Sequence, residues 1–318
     1  RSYPGVSYSP IGYRNDLIVR GGGPSENVFF IDGIEIPNIN HFATQGASGG
    51  PVSILNSDLI REISFYTGAF PANRGGALSS VMDINLKDGN PEKQAFKAVL
   101  GASEVGVSAS GHIGRKTTYI ASVRQSYLQL LFKLLGLPML PNYIDGQVKF
   151  KTKIDSRNEI MYIGLAGFDN MKLSTEPDDA GDEYLLSYLP KLKQETFTVG
   201  ASYKHFGDGH MQTWSLSYNY LNNRNLKYLN NDESSPENII LESSALEGKA
   251  QGRFENRSYY GAWTVREGAE VNFRHYDSDV FRRISDGSSL DYATDLGFFG
   301  WGVYASADYK SPSGRLNA

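Results

Sequence analysis

From Ala95 onward, apolar and polar residues alternate with a period of two, as strands with one apolar and one polar face do. Phe197, Val199, Ala201 and Tyr203 alternate with Thr198, Gly200, Ser202 and Lys204. Trp214, Leu216, Tyr218 and Tyr220 alternate with Thr213, Ser215, Ser217 and Asn219. Val148 and Phe150 stand against Lys149, Lys151 and Lys153, and Phe299, Trp301 and Val303 against Gly300, Gly302 and Tyr304. The pattern predicts ten strands, at 95–102, 105–113, 117–124, 145–154, 159–168, 195–206, 211–222, 245–256, 264–276 and 298–309. Near its start the apolar set moves from even positions (Phe96, Ala98, Leu100) to odd ones (Val105, Val107, Ala109). Such a change of phase at Ser103-Glu104 predicts a tight turn between two strands.

The predicted connections alternate in length. Short ones fall at 114–116, 155–158, 207–210, near 257–262 and at 311–315; long ones fall at 125–143, 169–194, 223–244 and 277–297. Within the first long one, Leu128, Leu131, Phe132 and Leu135 recur at helical spacing and predict a short helix. Antiparallel membrane barrels carry short turns on one rim and long loops on the other. A ten-residue strand tilted by about 45° rises roughly 24 Å, the height of the apolar band of such a barrel. A soluble β-sandwich has no reason to collect every long loop at one end.

Composition sharpens this picture. The chain has 39 aromatic residues (20 Tyr, 16 Phe, 3 Trp) and 34 Gly, with 40% of residues apolar. A chain rich in Tyr and Gly yet of low hydropathy suits a barrel whose strands meet lipid on one side and water on the other. The most apolar run, Tyr127 to Leu140, is too short and too interrupted by proline to span a bilayer as a helix. With 31 basic and 35 acidic residues the net charge is −4, which argues against a nucleic-acid partner. The absence of Cys removes disulfides, thiol catalysis and zinc–thiolate sites. Because the chain opens on Arg1 with no secretory signal, an internal fragment of a longer exported protein is expected.

Residues 1–94 differ in texture: they are Gly-rich, with β-type runs at Asp16–Arg20, Asn27–Ile31, Ile60–Thr67 and Ser80–Leu86. An irregular mixed α/β domain with a small sheet is expected. The ordered runs Asp16-Leu17-Ile18-Val19-Arg20-Gly21, Val28-Phe29-Phe30-Ile31-Asp32-Gly33, Ile60 to Gly76 and Ser79 to Lys87 resemble the plug of TonB-dependent outer-membrane receptors. Pro4-Gly5-Val6 resembles the start of the same half-plug, and Phe70-Pro71-Ala72 with Gly75-Gly76 is closest in form to receptors of Bacteroidota-type bacteria. The resemblance implies a mostly β protein in which a plug (1–94) sits inside a transmembrane barrel beginning at 95–318. It implies 22 strands in the whole protein, of which about ten lie in this chain. It also implies energised uptake of a scarce solute (a metal chelate, glycan, peptide or vitamin), with no enzymatic activity, cofactor or structural metal. The implied partners are TonB, through an N-terminal box absent from this chain, the extracellular solute, and outer-membrane lipid. A surface lipoprotein is a further candidate. One departure stands out, because family plugs often carry a second Arg where this chain has Thr67.

In the family the outward apices of the plug meet the solute. By chain order these correspond to Tyr8 and Tyr13 in one loop, and to Asn38, Asn40, His41, Phe42 and Gln45 in another. Stacking rings and amide donors suit many solutes, and packing against the barrel wall is the equal alternative. Arg20, Asp32, Gly33, Gly68, Arg74 and Gly75 are assigned to holding the plug in place. Arg20 and Asp32 are too costly to bury unpaired, so each is expected to have a hydrogen-bonding partner.

Other motifs read as structure. Gly46-Ala47-Ser48-Gly49-Gly50 spells a nucleophile elbow but lacks the strand before and helix after. Gly21-Gly22-Gly23 lacks the rest of a phosphate loop and is expected to turn the chain through positive φ. His205 and His210 flank a turn without a third metal ligand, and the acidic stretch Glu176 to Glu183 fits a solvated loop better than a Ca²⁺ site. A passive porin-like or adhesion barrel, and less readily a soluble β-rich carbohydrate-binding protein, are the alternatives. A TonB box upstream of Arg1 would separate active from passive transport.

Overall fold

The computed structural model describes residues 5–8, 15–47, 50, 52–174, 180–284 and 287–311. Two short strands, β1 (Val6–Tyr8) and β2 (Leu17–Val19), pair with each other. Then come β3 (Asn27–Ile31), β4 (Ile34–Ile36), β5 (Ile60–Tyr66) and β6 (Ser80–Leu86). These four form one small sheet in the order β4-β3-β6-β5, with β3 and β6 parallel and the other pairs antiparallel. The helices described in this segment are two three-residue 3₁₀ turns, Pro24–Glu26 and Ser57–Leu59. The expected mixed α/β character is therefore met only by its sheet. Gly and Pro recur too closely between the short β runs for a longer helix to start.

The second half is one antiparallel sheet of ten strands. They are β7 (Ala95–Leu100), β8 (Glu104–Ile113), β9 (Thr117–Ser126), β10 (Met139–Lys153), β11 (Asn158–Leu173), β12 (Lys191–Gly207), β13 (His210–Tyr228), β14 (Ile239–Tyr260), β15 (Trp263–Arg283) and β16 (Ser289–Tyr309). Each strand pairs with its sequence neighbour, so all ten predicted strands are present in the predicted order, and the turn at 101–103 divides β7 from β8. The predicted helix in the first long connection is α1 (Leu128–Leu134), and a second, α2 (Ala180–Tyr188), lies in the next.

Strand lengths depart from expectation on the long-loop side. Pairing continues from Asn223 opposite Ala245 to Tyr228 opposite Ile239, and from Asp277 opposite Asp295 to Arg283 opposite Ser289. The connection expected over 277–297 is thus mostly strand, since β15 runs to Arg283 and β16 begins at Ser289. At 22 residues, β14 is roughly 70 Å long, far more than the ~25 Å apolar band requires. In these extensions polar residues such as Asp277, Asp279, Arg282 and Asp295 break into both faces, so the regular alternation that marks a strand is lost while the backbone ladder continues.

Alternation sorts the side chains as predicted. Trp214, Leu216 and Tyr218 are 53%, 71% and 40% exposed on the convex face, while Asn219 beside them is 4% exposed on the concave one. Phe96, Leu100, Val107, Val199, Phe273 and Trp301 are likewise exposed. No helix among the described residues is long and apolar enough to cross a membrane, which leaves strand crossing untouched.

The concave face carries the small sheet. Phe29, Ile31, Ile34, Ile36, Ile54, Leu59, Ile84 and Leu86 form one buried cluster with Ile120 of β9 and Met161, Ile163 and Leu165 of β11. β11 is therefore apolar on both faces, which explains the unbroken run Ile160 to Ile163. Two glycines permit the close approach: a Cβ on Gly200 would stand 2.9 Å from Ile34 Cγ1, and one on Gly167 would stand 2.7 Å from Ile54 Cδ1.

These faces predict opposite environments for adjacent residues. In the full-length protein in bilayers, a nitroxide at Leu216 should be quenched by oxygen dissolved in lipid, and one at Ser217 by a water-soluble nickel chelate. Equal quenching at both positions would contradict the assignment of faces.

Candidate functional site

The residues that hold the N-terminal segment to the sheet fall into four polar groups. Asp32 and Gly33 make the two-residue turn between β3 and β4, with φ of 48° and 85°. Positive φ at both positions is what a twisted hairpin demands, and Asp-Gly supplies it. The turn aims Asp32 at β10, where its carboxylate is 3.1 Å from Lys149 Nζ. The backbone N–H of Leu86 also donates to Asp32, at 3.4 Å. Lys149 is shared with Asp88 at 2.8 Å, and Lys151 joins Asp88 at 3.1 Å. Burial pushes the Asp32 carboxyl above its ordinary value in spite of Lys149. At Asp88 burial acts in the same direction, but Lys149 and Lys151 outweigh it and hold the carboxyl below its ordinary value.

Two residues beyond Gly33, Glu35 receives Lys249 Nζ of β14 on both oxygens at 2.6 Å, and its carbonyl accepts from Asn219 Nδ2 at 3.0 Å. On the same face of the small sheet, Arg74 binds Asp83 at 2.5 and 3.0 Å and lies 4.6 Å from the ring centre of Phe30. Arg253 of β14 lies 5.6 Å from the same ring and donates to the carbonyls of Gly33 (3.0 Å) and Asn73 (2.6 Å). The fourth group centres on His41, whose Nδ1 is 2.6 Å from Asp169 Oδ1 and whose Nε2 is 3.2 Å from Asp145 Oδ2. Next to it Phe42 has φ 54°, a strained value for a non-glycine residue, held by its N–H donating to Asp169 Oδ2 at 2.7 Å.

The structure thus brings Asp32, Gly33 and Arg74 into contacts that fix the segment. Arg20 is different: it is exposed, its guanidinium lies over Gly68, and its side chain has no hydrogen-bond partner among the described residues. Gly75 lines a cavity instead of making a contact. Of the residues expected to meet solute, Tyr13 lies outside the described residues, and Tyr8 is described only as backbone in β1. Asn38, Asn40 and His41 are buried. Asn40 forms a β-bridge with Ser53, and Gln45 donates to the carbonyl of Ala245 at 2.8 Å and accepts from Asn223 at 2.8 Å. The Asn38 amide is buried with neither atom partnered among the described residues. This loop therefore packs on the wall through most of its named side chains.

Open space lies beside it. A cavity of about 460 Å³ is lined by Thr44 and Gly46 of the loop and by Glu247, Arg274, Tyr276 and Phe298 of the strands. The strand residues were legible in principle, because all lie at polar-face positions of β14 to β16; the chain order of the loops drew attention away from them. Among the described residues no group of three or more His, Asp or Glu could hold a metal ion. His205 and His210 stand 6.1 Å apart at a rim turn, with His205 bonded to Asn158 at 2.8 Å. Of the acidic stretch, residues 176–179 lie outside the described residues, as do Ser48 and Gly49 of the elbow-like motif. Gly21 has φ 79°, the turn role expected of it.

No protein-family model and no curated protein sequence matches the chain. Solved structures do. The chain is similar to copper transporter OprC at 12% identity and TM-score 0.68, over 96% of this chain and 48% of that one. It is similar to the ferripyoverdine receptor of the outer membrane of Pseudomonas aeruginosa at 13% identity and TM-score 0.67, over 96% of this chain and 46% of that one. The outer membrane transporter YddB from Escherichia coli matches at 11% identity and TM-score 0.63, over 97% of this chain and 51% of that one. The chain has the fold of outer-membrane receptors and transporters and spans about half the length of these neighbours. The resemblance to TonB-dependent outer-membrane receptors is thereby met at the level of fold.

The Glu35–Lys249 pair offers a test of how the segment is held. Both side chains are largely buried, so removing one leaves a charge unpaired. In a double-mutant cycle of Glu35→Gln and Lys249→Met followed by thermal unfolding, each single change should lower the midpoint, with a coupling of about 1–3 kcal/mol. Additive effects would mean that the pair contributes nothing to seating the segment.

Proposed function

We propose that the chain is part of a TonB-dependent outer-membrane receptor that takes up a scarce extracellular solute with energy supplied from the periplasmic side. In this reading residues 1–94 are the later part of the plug and residues 95–318 begin a 22-stranded barrel. The observation that carries it is the two-faced sheet. Its convex face is apolar and exposed, while its concave polar face is filled by an N-terminal segment bound through Asp32–Lys149, Glu35–Lys249 and His41. A passive pore has no use for a segment bound across its lumen by ion pairs, and a soluble module would not expose such an apolar wall. The reading carries no enzymatic role.

Neighbours of this fold include a copper transporter and a ferripyoverdine receptor, which favours a small solute or chelate without choosing one. Solute would enter the cavity beside Thr44 and Gly46, with Tyr276 and Phe298 for stacking and Glu247 and Arg274 for polar contacts. Tyr8, Tyr13, Asn38, Asn40, His41, Phe42 and Gln45 remain the proposed plug contribution, most of them by shaping the floor. TonB, outer-membrane lipid and a surface lipoprotein are the proposed partners.

The test is genetic. Cells producing the full-length protein and cells lacking it should be compared on limiting iron chelates, copper, cobalamin, peptides and glycans, each with and without TonB. A growth advantage on one solute that disappears without TonB is the expected result. An advantage indifferent to TonB would replace this reading with passive diffusion.

A further inference from the structure

His41, Asp145 and Asp169 all have fully buried side chains, at 0% exposure. An ionised carboxylate only accepts, and a neutral imidazole has a single N–H to give. His41 meets a carboxylate oxygen at each ring nitrogen, so with both carboxylates ionised the two bonds form only if the ring is the imidazolium. Arg124 of β9 also binds the Asp145 carboxylate, at 3.1 Å through Nε and 3.0 Å through Nη2. Asp169 has no basic group but His41 within ion-pair distance among the described residues.

The surroundings add no second base for Asp169. Glu104 of β8 faces Arg124 at 3.4 Å and accepts from the Tyr143 hydroxyl at 2.5 Å. The Tyr143 ring of β10 stacks on His41 at 4.0 Å, and Gln194 of β12 contributes only neutral bonds to Ala43. Three carboxylates thus face two cations when His41 is charged. When it is neutral they face Arg124 alone.

We infer that His41 is a proton-dependent latch: its second proton seats the loop from Pro37 to Ala47 against β10 and β11, and alkaline pH releases it. Release would also free Phe42 from its strained backbone, since the N–H bond to Asp169 belongs to the same contact. Burial by itself would discharge the ring, but the hydrogen bonds it donates to Asp145 and Asp169 outweigh that and hold the imidazole above its ordinary value. For a base whose folded value is raised, the stabilisation is complete below the ordinary imidazole value and is lost as pH rises through the raised one. The latch rests on contact geometry and stands whether or not the chain belongs to a transporter.

Hydrogen exchange of peptides covering residues 38–47, in the full-length protein in detergent between about pH 6 and pH 10, tests this. After correction for intrinsic base catalysis, the opening equilibrium should rise by up to about tenfold per pH unit between the ordinary imidazole value and the raised His41 midpoint, where opening releases one proton, and level off above it. In His41→Gln the loop should open more readily at pH 6 and show no such slope. Histidine-selective NMR of the wild type should place the His41 midpoint above the ordinary value and match the exchange profile. A flat wild-type profile, the same slope in His41→Gln, or a neutral His41 ring at pH 6 would each overturn the latch. If His41→Gln fails to fold, the wild-type NMR titration decides alone.

Discussion

A peptide group left without a partner in hydrocarbon costs several kcal/mol, and most of this structure follows from meeting that demand with strands. Each of the ten strands satisfies its neighbour, so the ladder from β7 to β16 runs in simple sequence order. The same geometry forces side chains alternately outward and inward. Outward positions then have to be apolar, and Trp214, Leu216, Val271 and Trp301 are. Inward positions face the opposite problem, because a polar concave wall has to be solvated or filled.

Here it is filled, and the filling is selective. The small sheet contributes Ile34 and Ile84, and the segment between β4 and β5 contributes Ile54, to a hydrophobic contact with Ile120, Met161, Ile163 and Leu165. Around this patch, fixed charges on the wall meet fixed charges on the segment at Asp32–Lys149 and Glu35–Lys249. Apolar contact gives the interaction its adhesion, while the ion pairs set the register, since a shifted segment would leave buried charges unpaired. The His41 group differs from these pairs in depending on a titratable base between two acids.

The central parts of the strands were legible because one exposed apolar face and one polar face impose alternation residue by residue. Their extensions were not: Asp277 opposite Asp295 and Arg224 opposite Ser244 are strand pairs with polar residues on both strands, so the pattern falls silent. β4 escaped notice because Ile34-Glu35-Ile36 is too short to display a period. In the candidate site, the short β-type runs announced the small sheet, whereas the Asp32-Gly33 turn went unpredicted although the dipeptide is a hairpin signal. The partners of His41 lie more than a hundred residues away in the chain, and no local pattern encodes such a contact. The same holds for Gln45 with Asn223, which is why residues chosen by loop position proved to be largely anchored to the wall.

In the proposed receptor the N-terminal segment occupies the interior of a lipid-facing barrel and is held there by contacts to the polar wall. Single-channel conductance of the full-length protein in planar bilayers, with and without residues 15–86, tests it most directly. The account predicts no large steady conductance from the intact protein and a large one once the segment is removed. A large steady conductance from the intact protein would contradict it.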